Sequence, residues 1–175
     1  MPKNVIIRNS KTTDIASLET LYPAAFPDED LLPVVRGLLN EEMPILSLVA
    51  ISGNDVVGHV AFSLCTIGPR KIPAGLLAPL CVSPGCQKQG VGTALVEDGF
   101  RRLREKDIAH VLVLGDPEYY GRFGFLPETD IAPPYPMPEE WRDAWQSVTL
   151  HDSEASPHGV LEVPAIWQDP KLWGP

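Results

Sequence analysis

Cysteine is scarce in this chain of 175 residues, which has three: Cys65, Cys81 and Cys86. Their number is odd, and their spacing does not match that of a set of metal ligands. Small secreted domains use paired cysteines, whereas proteins of the cytoplasm keep their thiols reduced. The cysteines therefore predict a reduced cytoplasmic protein that binds no metal.

Basic residues and long apolar runs are also few. Fourteen lysines and arginines stand against 23 acidic residues, which gives a formal net charge of −9. We expect no nucleic-acid partner, because such partners bind to basic surfaces. No stretch approaches the roughly 20 apolar residues of a membrane span, and the first ten residues lack a signal-peptide pattern. The charge permits a cationic substrate, although solubility is the simpler interpretation.

Strand and helix patterns alternate along the chain. Strands are predicted over residues 5–8, 45–51, 56–65, 78–82 and 110–114. Helices are predicted after Thr12, after Pro27, from about Val91 to Leu103, and after Asp116. With a last strand after the fourth helix, the order is β-α-α-β-β-β-α-β-α-β, which predicts a mixed α/β fold.

Prolines and acidic residues mark the expected helix ends. Pro23 should break or bend the first helix, because proline lacks the N–H donor of a helix interior. The second helix should begin at Pro27 with the carboxylates of residues 28–30 in its first turn, and should end at Glu41 and Glu42. Residues 66–74, which contain a glycine and two prolines, should form a loop.

Residues 126–175 differ from the rest in composition, with nine of the nineteen prolines and all four tryptophans. Proline alone would suggest disorder, but each tryptophan offers a large apolar area to bury. We therefore expect an ordered tail with a short helix over 139–146, which would set Trp141 and Trp145 one turn apart. Strands that complete the sheet are expected over 147–150 and 159–163.

The region between residues 78 and 103 reads as a strand, a turn and a helix. Pro84 and Gly85 end the strand, because proline lacks a ladder donor and glycine admits positive φ. The helix begins close to Gly90 and Gly92. At a helix start the N–H groups lack intrahelical partners and lie at the positive end of the dipole. The turn is therefore predicted to cradle a phosphate or pyrophosphate.

Three phosphate-binding patterns can be compared with this turn. A P-loop requires a lysine where Val91 and Gly92 stand, and a dinucleotide fingerprint requires a third glycine where Leu95 stands. The pattern [QR]-x-x-G-x-[GA] is met in full by Gln87, Gly90 and Gly92. The alternative interpretation is a plain strand–turn–helix with glycines that only serve packing.

A second segment, residues 114–125, reads Leu-Gly-Asp-Pro-Glu-Tyr-Tyr-Gly-Arg-Phe-Gly-Phe. Its Tyr120, Gly124 and Phe125 form a Tyr-x-x-x-Gly-Phe pattern. Together with the Gln-x-x-Gly-x-Gly turn, this pattern resembles the GNAT superfamily of N-acetyltransferases over about residues 4–126. The full sequence of residues 114–125 resembles that of a subgroup of predicted GNAT acetyltransferases.

The resemblance implies the GNAT acyl-CoA N-acyltransferase fold, a mixed α/β sheet in a single three-layer domain. That domain would span residues 1–126, and residues 127–175 would be a Pro/Trp-rich extension packed on it. It also implies acetyl-CoA as co-substrate and direct attack by a small-molecule or peptide amine. Charge and hydropathy, as above, predict neither a nucleic-acid partner nor a membrane. A homodimer is left open.

Site residues follow from the same resemblance. Backbone groups of the strand before the turn would bind the pantetheine arm and the thioester oxygen, as in an oxyanion hole. Tyr120 would protonate the leaving thiolate, since an ordinary tyrosine pKa is about 10 and a thiol pKa about 8.5. The predicted cofactor-binding residues are Leu80, Cys81, Val82, Gln87, Lys88, Gln89, Gly90, Val91, Gly92, Thr93, Asp116 and Tyr119.

The general base is less defined. Glu41, Glu42 and His59 are chemical candidates, but solvated helix-end acids and a hydrogen-bonded structural histidine are the simpler interpretations, and water could carry the proton. Cys81 or Cys86 could act as a nucleophile, although no paired histidine is visible. Two non-transferase alternatives remain: a module that binds CoA without catalysis, and an unrelated nucleotide-phosphate binder.

Overall fold

The structure is a computed structural model that describes residues 4–40, 45–152 and 156–174. The chain divides into two compact units. The first comprises Met1–Phe62 with Pro79–Arg102, and the second comprises Ser63–Ala78 with Leu103–Pro175. In the described part of the chain, no helix is both long enough and apolar enough to cross a membrane.

The helices and strands follow the predicted order as far as the fourth helix. The helices are α1 (Ile15–Ala25), α2 (Leu32–Leu39), α3 (Val91–Glu105) and α4 (Pro117–Tyr120). The strands are β1 (Ile6–Asn9), β2 (Ile45–Ser52), β3 (Asp55–Ile67), β4 (Ile72–Val82), β5 (His110–Leu114), β6 (Leu126–Pro127), β7 (Ile131–Ala132), β8 (Trp145–Thr149) and β9 (Gly159–Glu162).

Parallel and antiparallel pairs occur together, which confirms the predicted mixed α/β class. The strand order is β1-β2-β3-β4 in the first unit and β4-β5-β8-β6 in the second, so β3 and β4 contribute to both. β1 runs antiparallel to β2, and β8 runs antiparallel to β5. β4 and β5 are parallel over three residue pairs, from Ala74 opposite His110 to Leu76 opposite Leu112.

The core of the first unit lies under α1 and α2. Leu18, Leu21 and Tyr22 recur at helical spacing on α1 and are buried together with Val35 of α2 and Cys81 of β4. The apolar face of each helix is thus covered, which is the main source of helix stability in proteins.

Tryptophans organise the tail in the second unit. Trp145, Trp167 and Trp173 are buried, as expected for large apolar side chains, while Trp141 is half-buried. Each buried indole N–H has an acceptor: Trp145 donates to the Ile131 carbonyl at 2.8 Å, Trp167 to Ser63 Oγ at 2.8 Å, and Trp173 to the Trp167 carbonyl at 2.9 Å. The division into a domain of residues 1–126 and an extension stays a prediction.

Helix ends differ from the expectations made from proline and charge. α1 continues through Pro23 to Ala25, so the predicted break at Pro23 is wrong. Pro23 lacks one N–H donor, but only two helical residues follow it, so little of the helix depends on the turn that it disturbs. α2 begins at Leu32 instead of Pro27, so the acidic residues 28–30 precede the helix. Pro33 accounts for this start, because proline is favoured in the first helical turn and not in the interior.

Strand lengths were underestimated. β3 extends to Ile67 and β4 begins at Ile72, which reduces the expected loop over 66–74 to a tight turn. Gly68 and Lys71 adopt positive φ there, of 66° and 54°. The expected helix over 139–146 is a 3-10 helix over Glu139–Ala144, after which β8 begins, so Trp145 is a strand residue.

Candidate cofactor and catalytic site

The glycine turn, defined here as residues 83–93, joins β4 to α3 in the first unit. The Ser83 N–H donates to the Val57 carbonyl at 2.8 Å and fixes the end of β4 against β3. A 3-10 turn follows over Pro84–Cys86. Lys88 and Gly90 then adopt left-handed backbone angles, with φ of 61° and 88°. This double reversal is what turns the chain from the strand into the helix.

The start of α3 offers unpaired backbone donors. Ala94 is the first residue whose N–H bonds back, to the Gly90 carbonyl at 3.0 Å. By helix geometry, the N–H groups of Val91, Gly92 and Thr93 have no intrahelical acceptor. Lys88 is the one charged residue of the glycine turn, in a chain with 23 acidic residues. Backbone donors, a dipole end and a lysine in a turn that contains no acidic residue fit a pyrophosphate.

Two glutamines brace the glycine turn. Gln87 donates from Nε2 to the Val82 carbonyl at 3.1 Å, and Gln89 donates from Nε2 to the Gly85 carbonyl at 3.2 Å. The Gln87 side chain therefore bonds to the last residue of β4, and the Gln89 side chain bonds to the backbone of the turn. Their residue type was apparent from the sequence, but this bracing geometry was not.

The end of β4 presents backbone groups on two edges. Because the Ser83 N–H faces β3, the period of two in a strand directs the groups of Cys81 to β3 as well. Those of Leu80 and Val82 face the other edge. Of the three strand residues predicted to bind the cofactor, Leu80 and Val82 thus have the suitable orientation.

Cys81 itself lies in the core. Its side chain packs in the buried cluster around Tyr22, and burial raises the pKa of the thiol to about 12. A thiol with that pKa stays protonated at neutral pH and is a poor nucleophile. This environment speaks against the covalent alternative at Cys81.

Gly58 of β3 allows α3 and the β4 backbone to lie close to β3. A Cβ at this position would lie 2.9 Å from Leu95 Cδ1, 3.1 Å from Val91 Cγ1 and 3.2 Å from the Cys81 carbonyl oxygen. The sequence analysis missed this residue. Its signal was a glycine inside a predicted strand, which often marks a close approach of another backbone.

His59, a candidate base, is a buried member of a hydrogen-bond chain. Its Nδ1 lies 2.6 Å from the Tyr22 hydroxyl and its Nε2 lies 2.8 Å from Ser47 Oγ, which in turn lies 2.8 Å from Ser10 Oγ. Burial lowers the pKa of His59 to about 4. With both ring nitrogens engaged, His59 has the geometry of a structural histidine. The other candidate bases, Glu41 and Glu42, lie outside the described residues.

The tyrosine segment, defined here as residues 115–125, belongs to the second unit. Asp116 caps α4, accepting the Glu118 N–H on Oδ1 at 2.9 Å, and Pro117 occupies the first turn as predicted. A 3-10 turn follows α4 and ends at Gly124, whose φ is 93°. The capping role already accounts for Asp116, which was predicted to bind the cofactor.

Tyr120 is held by neighbouring aromatic rings. Its ring centroid lies 5.0 Å from that of Tyr119 and 5.8 Å from that of Phe125, both in edge-to-face arrangements. A Cβ on Gly115 would lie 2.4 Å from Tyr120 Cε2, so only glycine fits beneath the ring. Burial, and then the neighbouring Tyr119 and Asp116, raise the pKa of Tyr120. The phenol therefore keeps its proton at neutral pH.

Tyr119 has a different environment from its neighbour. The Arg122 guanidinium carbon lies 4.5 Å from the centre of the Tyr119 ring, a cation–π contact. The predicted site residues thus fall into two groups. Those from Leu80 to Thr93 lie in the first unit, and Asp116, Tyr119 and Tyr120 lie in the second.

Comparison with known proteins places these features in a family. Residues 13–125 match the acetyltransferase (GNAT) family. The uncharacterised N-acetyltransferase YjhQ of Escherichia coli (strain K12) is 36% identical over 162 residues, which cover 87% of this chain and 88% of YjhQ.

Solved structures with bound cofactor resemble the whole fold. The crystal structure of YhbS from Escherichia coli in complex with CoA has a TM-score of 0.83 at 28% identity, covering 94% of this chain and 92% of that one. A GNAT acetyltransferase from Brucella melitensis in complex with acetyl-CoA has a TM-score of 0.76 at 27% identity, covering 94% and 99%. The chain belongs to the GNAT family of acetyltransferases.

Proposed function

We propose that this protein transfers the acetyl group of acetyl-CoA to a primary amine of a small molecule or peptide, by direct attack of the amine. The observation that carries the proposal is the glycine turn, in which unpaired N–H groups and Lys88 lie without a carboxylate at the start of α3. The CoA and acetyl-CoA bound by the two solved relatives support the same cofactor. The free Cys65, Cys81 and Cys86 support action in the cytoplasm.

In the proposed mechanism the first unit binds the cofactor mainly through backbone groups. The N–H groups of Val91, Gly92 and Thr93 bind the pyrophosphate, and Lys88 adds a positive charge. The outward N–H groups of Leu80 and Val82 and the Leu80 carbonyl bind the pantetheine arm, and one of these N–H groups binds the thioester oxygen. The Val82 carbonyl already accepts from Gln87 Nε2. Donors fixed in this way stabilise the negative charge that develops on that oxygen without having to reorganise.

Tyr120 supplies the proton. Acetyl-CoA provides the acetyl group as a thioester, and its sulfur must be protonated as it leaves. The raised pKa keeps Tyr120 Oη protonated until that moment, and the same low-polarity surroundings strengthen its hydrogen bond to a developing thiolate. The proposed role is therefore donation from Tyr120 Oη to the sulfur as the C–S bond breaks. The attacking nitrogen releases one proton as the amide forms, and a proton returned through water restores the Tyr120 phenol.

Deprotonation of the amine is assigned to no histidine of the site region. His59 has both ring nitrogens hydrogen-bonded and no exposed surface. The amine is proposed to lose its proton to water before attack, so kcat/KM should rise with pH as more of the amine becomes neutral.

A panel of primary amines tests the proposal. The protein is incubated with acetyl-CoA and each amine, and both the free thiol and the mass of the acetylated amine are measured. We expect equal amounts of the two products with at least one primary amine, and none with its trimethylated analogue, which has no N–H to replace. Gly90→Val is the matched control, because it should lower both products together.

The same assay addresses the alternative, a module that binds CoA without catalysis. Such a module would bind CoA in a calorimetric titration but release no thiol with any amine. Tyr120, whose phenol keeps its proton at neutral pH, favours a transferase over a module that only binds CoA. Saturable CoA binding with no acetylated product across a broad panel would contradict the proposed function.

A further inference from the structure

A small polar cavity lies in the second unit, beside β8 and the first residue of β5. Its volume is about 320 Å³, enough for a ligand of a few heavy atoms. Side chains on its wall include His110, Glu128, Asp130, Ser147 and Thr149. None of these residues belongs to the predicted acetyl-transfer site.

His110 is the unusual member of this wall. The residue is 6% exposed, and its Nε2 has no hydrogen-bond partner among the described residues. Buried polar atoms almost always find a partner, and an exception calls for an explanation such as an unseen ligand. Burial and the nearby His151 lower the pKa of His110, against an opposing effect of Glu128. The ring is therefore neutral and has one nitrogen able to accept a hydrogen bond.

The carboxylate of Glu128 is fixed in place. Its Oε1 accepts from Ser147 Oγ at 2.7 Å, and its Oε2 accepts from the backbone N–H groups of Asp130 at 2.6 Å and Ile131 at 3.1 Å. Oε1 keeps a free lone pair. With the Asp130 carboxylate and no lysine or arginine among the described residues of its wall, the cavity carries negative charge. A cation is the complementary ligand.

The cavity and Tyr120 lie on opposite faces of the β5–β8 pair. His110 is opposite Thr149 and Leu112 is opposite Ser147, so these side chains share one face. Gly115, against which the Tyr120 ring packs, differs from His110 by an odd number of residues and points to the other face. A ligand in this cavity would therefore not be the amine that is acetylated.

We propose that this cavity binds a small organic ammonium ion that also carries a hydroxyl group. The ammonium N–H groups donate to Glu128 Oε1 and to the Asp130 carboxylate. The His110 ring turns towards the ligand, so that its buried Nε2 accepts a third N–H. The ligand hydroxyl bonds to the hydroxyls of Ser147 and Thr149. The ligand thereby satisfies the one buried side-chain nitrogen that lacks a partner among the described residues.

Nuclear magnetic resonance of the histidine rings in the full chain tests this site. Ethanolamine hydrochloride, which is largely protonated near neutral pH, is the probe, and the His110→Gln variant assigns the His110 signals. We expect a saturable shift of the His110 ring signals. Sodium chloride and tetramethylammonium chloride at equal ionic strength should not reproduce it, because neither cation has an N–H donor. An absent shift, or an equal shift with tetramethylammonium, would overturn the proposal.

A pair of exposed aspartates provides the matched variants. Asp130→Asn removes one charge from the cavity and should weaken ethanolamine binding by roughly tenfold, equivalent to about 1.4 kcal/mol. Asp143→Asn makes the same change on the 3-10 helix over Glu139–Ala144, away from the cavity, and should leave the affinity unchanged. Equal affinities in the two variants would show that ethanolamine binds elsewhere.

Discussion

The glycine turn and the tyrosine segment solve different chemical problems in different ways. The glycine turn offers backbone N–H groups, and its glutamine side chains only brace the backbone that presents them. The tyrosine segment offers one side chain, Tyr120, and surrounds it with rings that fix its position and raise its pKa. Binding a pyrophosphate thus depends on chain geometry, whereas supplying a proton depends on one hydroxyl.

Glycine has a different purpose in each region. Gly90 is needed for its own backbone angle, a φ of 88° that side chains rarely permit. Gly115 is needed for the space above it, which the Tyr120 ring fills. The two regions should therefore respond differently to the same substitutions, which allows each role to be tested separately.

The largest effect should come from removing the Tyr120 hydroxyl. Tyr120→Phe keeps the ring packing but loses the proton, so kcat should fall about 10²–10⁴-fold while CoA affinity changes little. Tyr135→Phe makes the same chemical change outside the tyrosine segment and should leave kcat near the wild-type value. Steady-state rates at saturating amine measure both. Wild-type turnover in Tyr120→Phe would end the general-acid assignment.

Displacing the Tyr120 ring should have the next largest effect. In Gly115→Ala the new Cβ would overlap Tyr120 Cε2, so the ring must shift, and a misplacement of about 1 Å can cost roughly 10²-fold in rate. Gly121→Ala lies in the same segment, where an added Cβ meets nothing within 4 Å, and should retain activity. If both variants are equally active, the position of Tyr120 does not limit catalysis.

A change of the backbone angle should act on binding instead. Gly90→Val forces a branched side chain into positive φ, and loss of a hydrogen bond to a charged group, about 1.5–3 kcal/mol, predicts roughly 10- to 100-fold weaker CoA binding. Gly85→Val, in the same turn but with open space around it, should bind CoA normally. Calorimetric titration of both folded variants with CoA measures the two affinities. Unchanged affinity in Gly90→Val would contradict the assignment of the glycine turn.

The sequence predicted the parts of the site that depend on local pattern. Gly90, Asp116 and Pro117 act through their own backbone or the next few residues, so their positions at helix starts were apparent. β5 was predicted to the residue, because its apolar run ends at Gly115 and Asp116, which begin the next turn. The start of α2 also depends on local sequence, because Pro33 favours the first turn of a helix. The prediction was wrong because it placed the acidic residues 28–30 in the first turn instead.

Features that depend on distant residues could not be predicted. Gly58 matters because α3 and β4 pack against it, and Gly115 because the Tyr120 ring folds back over it. His59 was recognised as a candidate base, but its partners Tyr22 and Ser47 lie 37 and 12 residues away in sequence. Periodicity predicts which face of a helix or strand is apolar. It does not predict which residues cover that face, so contacts between distant residues can be known only from the structure.

The smallest effect on activity, and a clear one on stability, is expected at His59. Its pKa is about 4 in the folded protein against an ordinary 6.5, so the unfolded chain binds the extra proton between these values. Stability should therefore be complete above about pH 6.5 and decrease as pH falls towards 4. Between about pH 7.5 and pH 5 the His59 contribution to the free energy of unfolding should decrease by about 2 kcal/mol.

His59→Gln separates this contribution from those of other groups. Glutamine keeps a donor and an acceptor for Tyr22 and Ser47 but does not titrate, so the free energy of unfolding should depend less on pH in the variant than in wild type. Urea unfolding at the two pH values measures the difference, in which any uniform cost of the substitution cancels. His110 and its lowered pKa remain in both proteins and cancel as well. An equal pH dependence in both would mean that His59 accepts a proton in the folded state. Its role as a neutral structural residue, bonded to Tyr22 and Ser47, would then have to be abandoned.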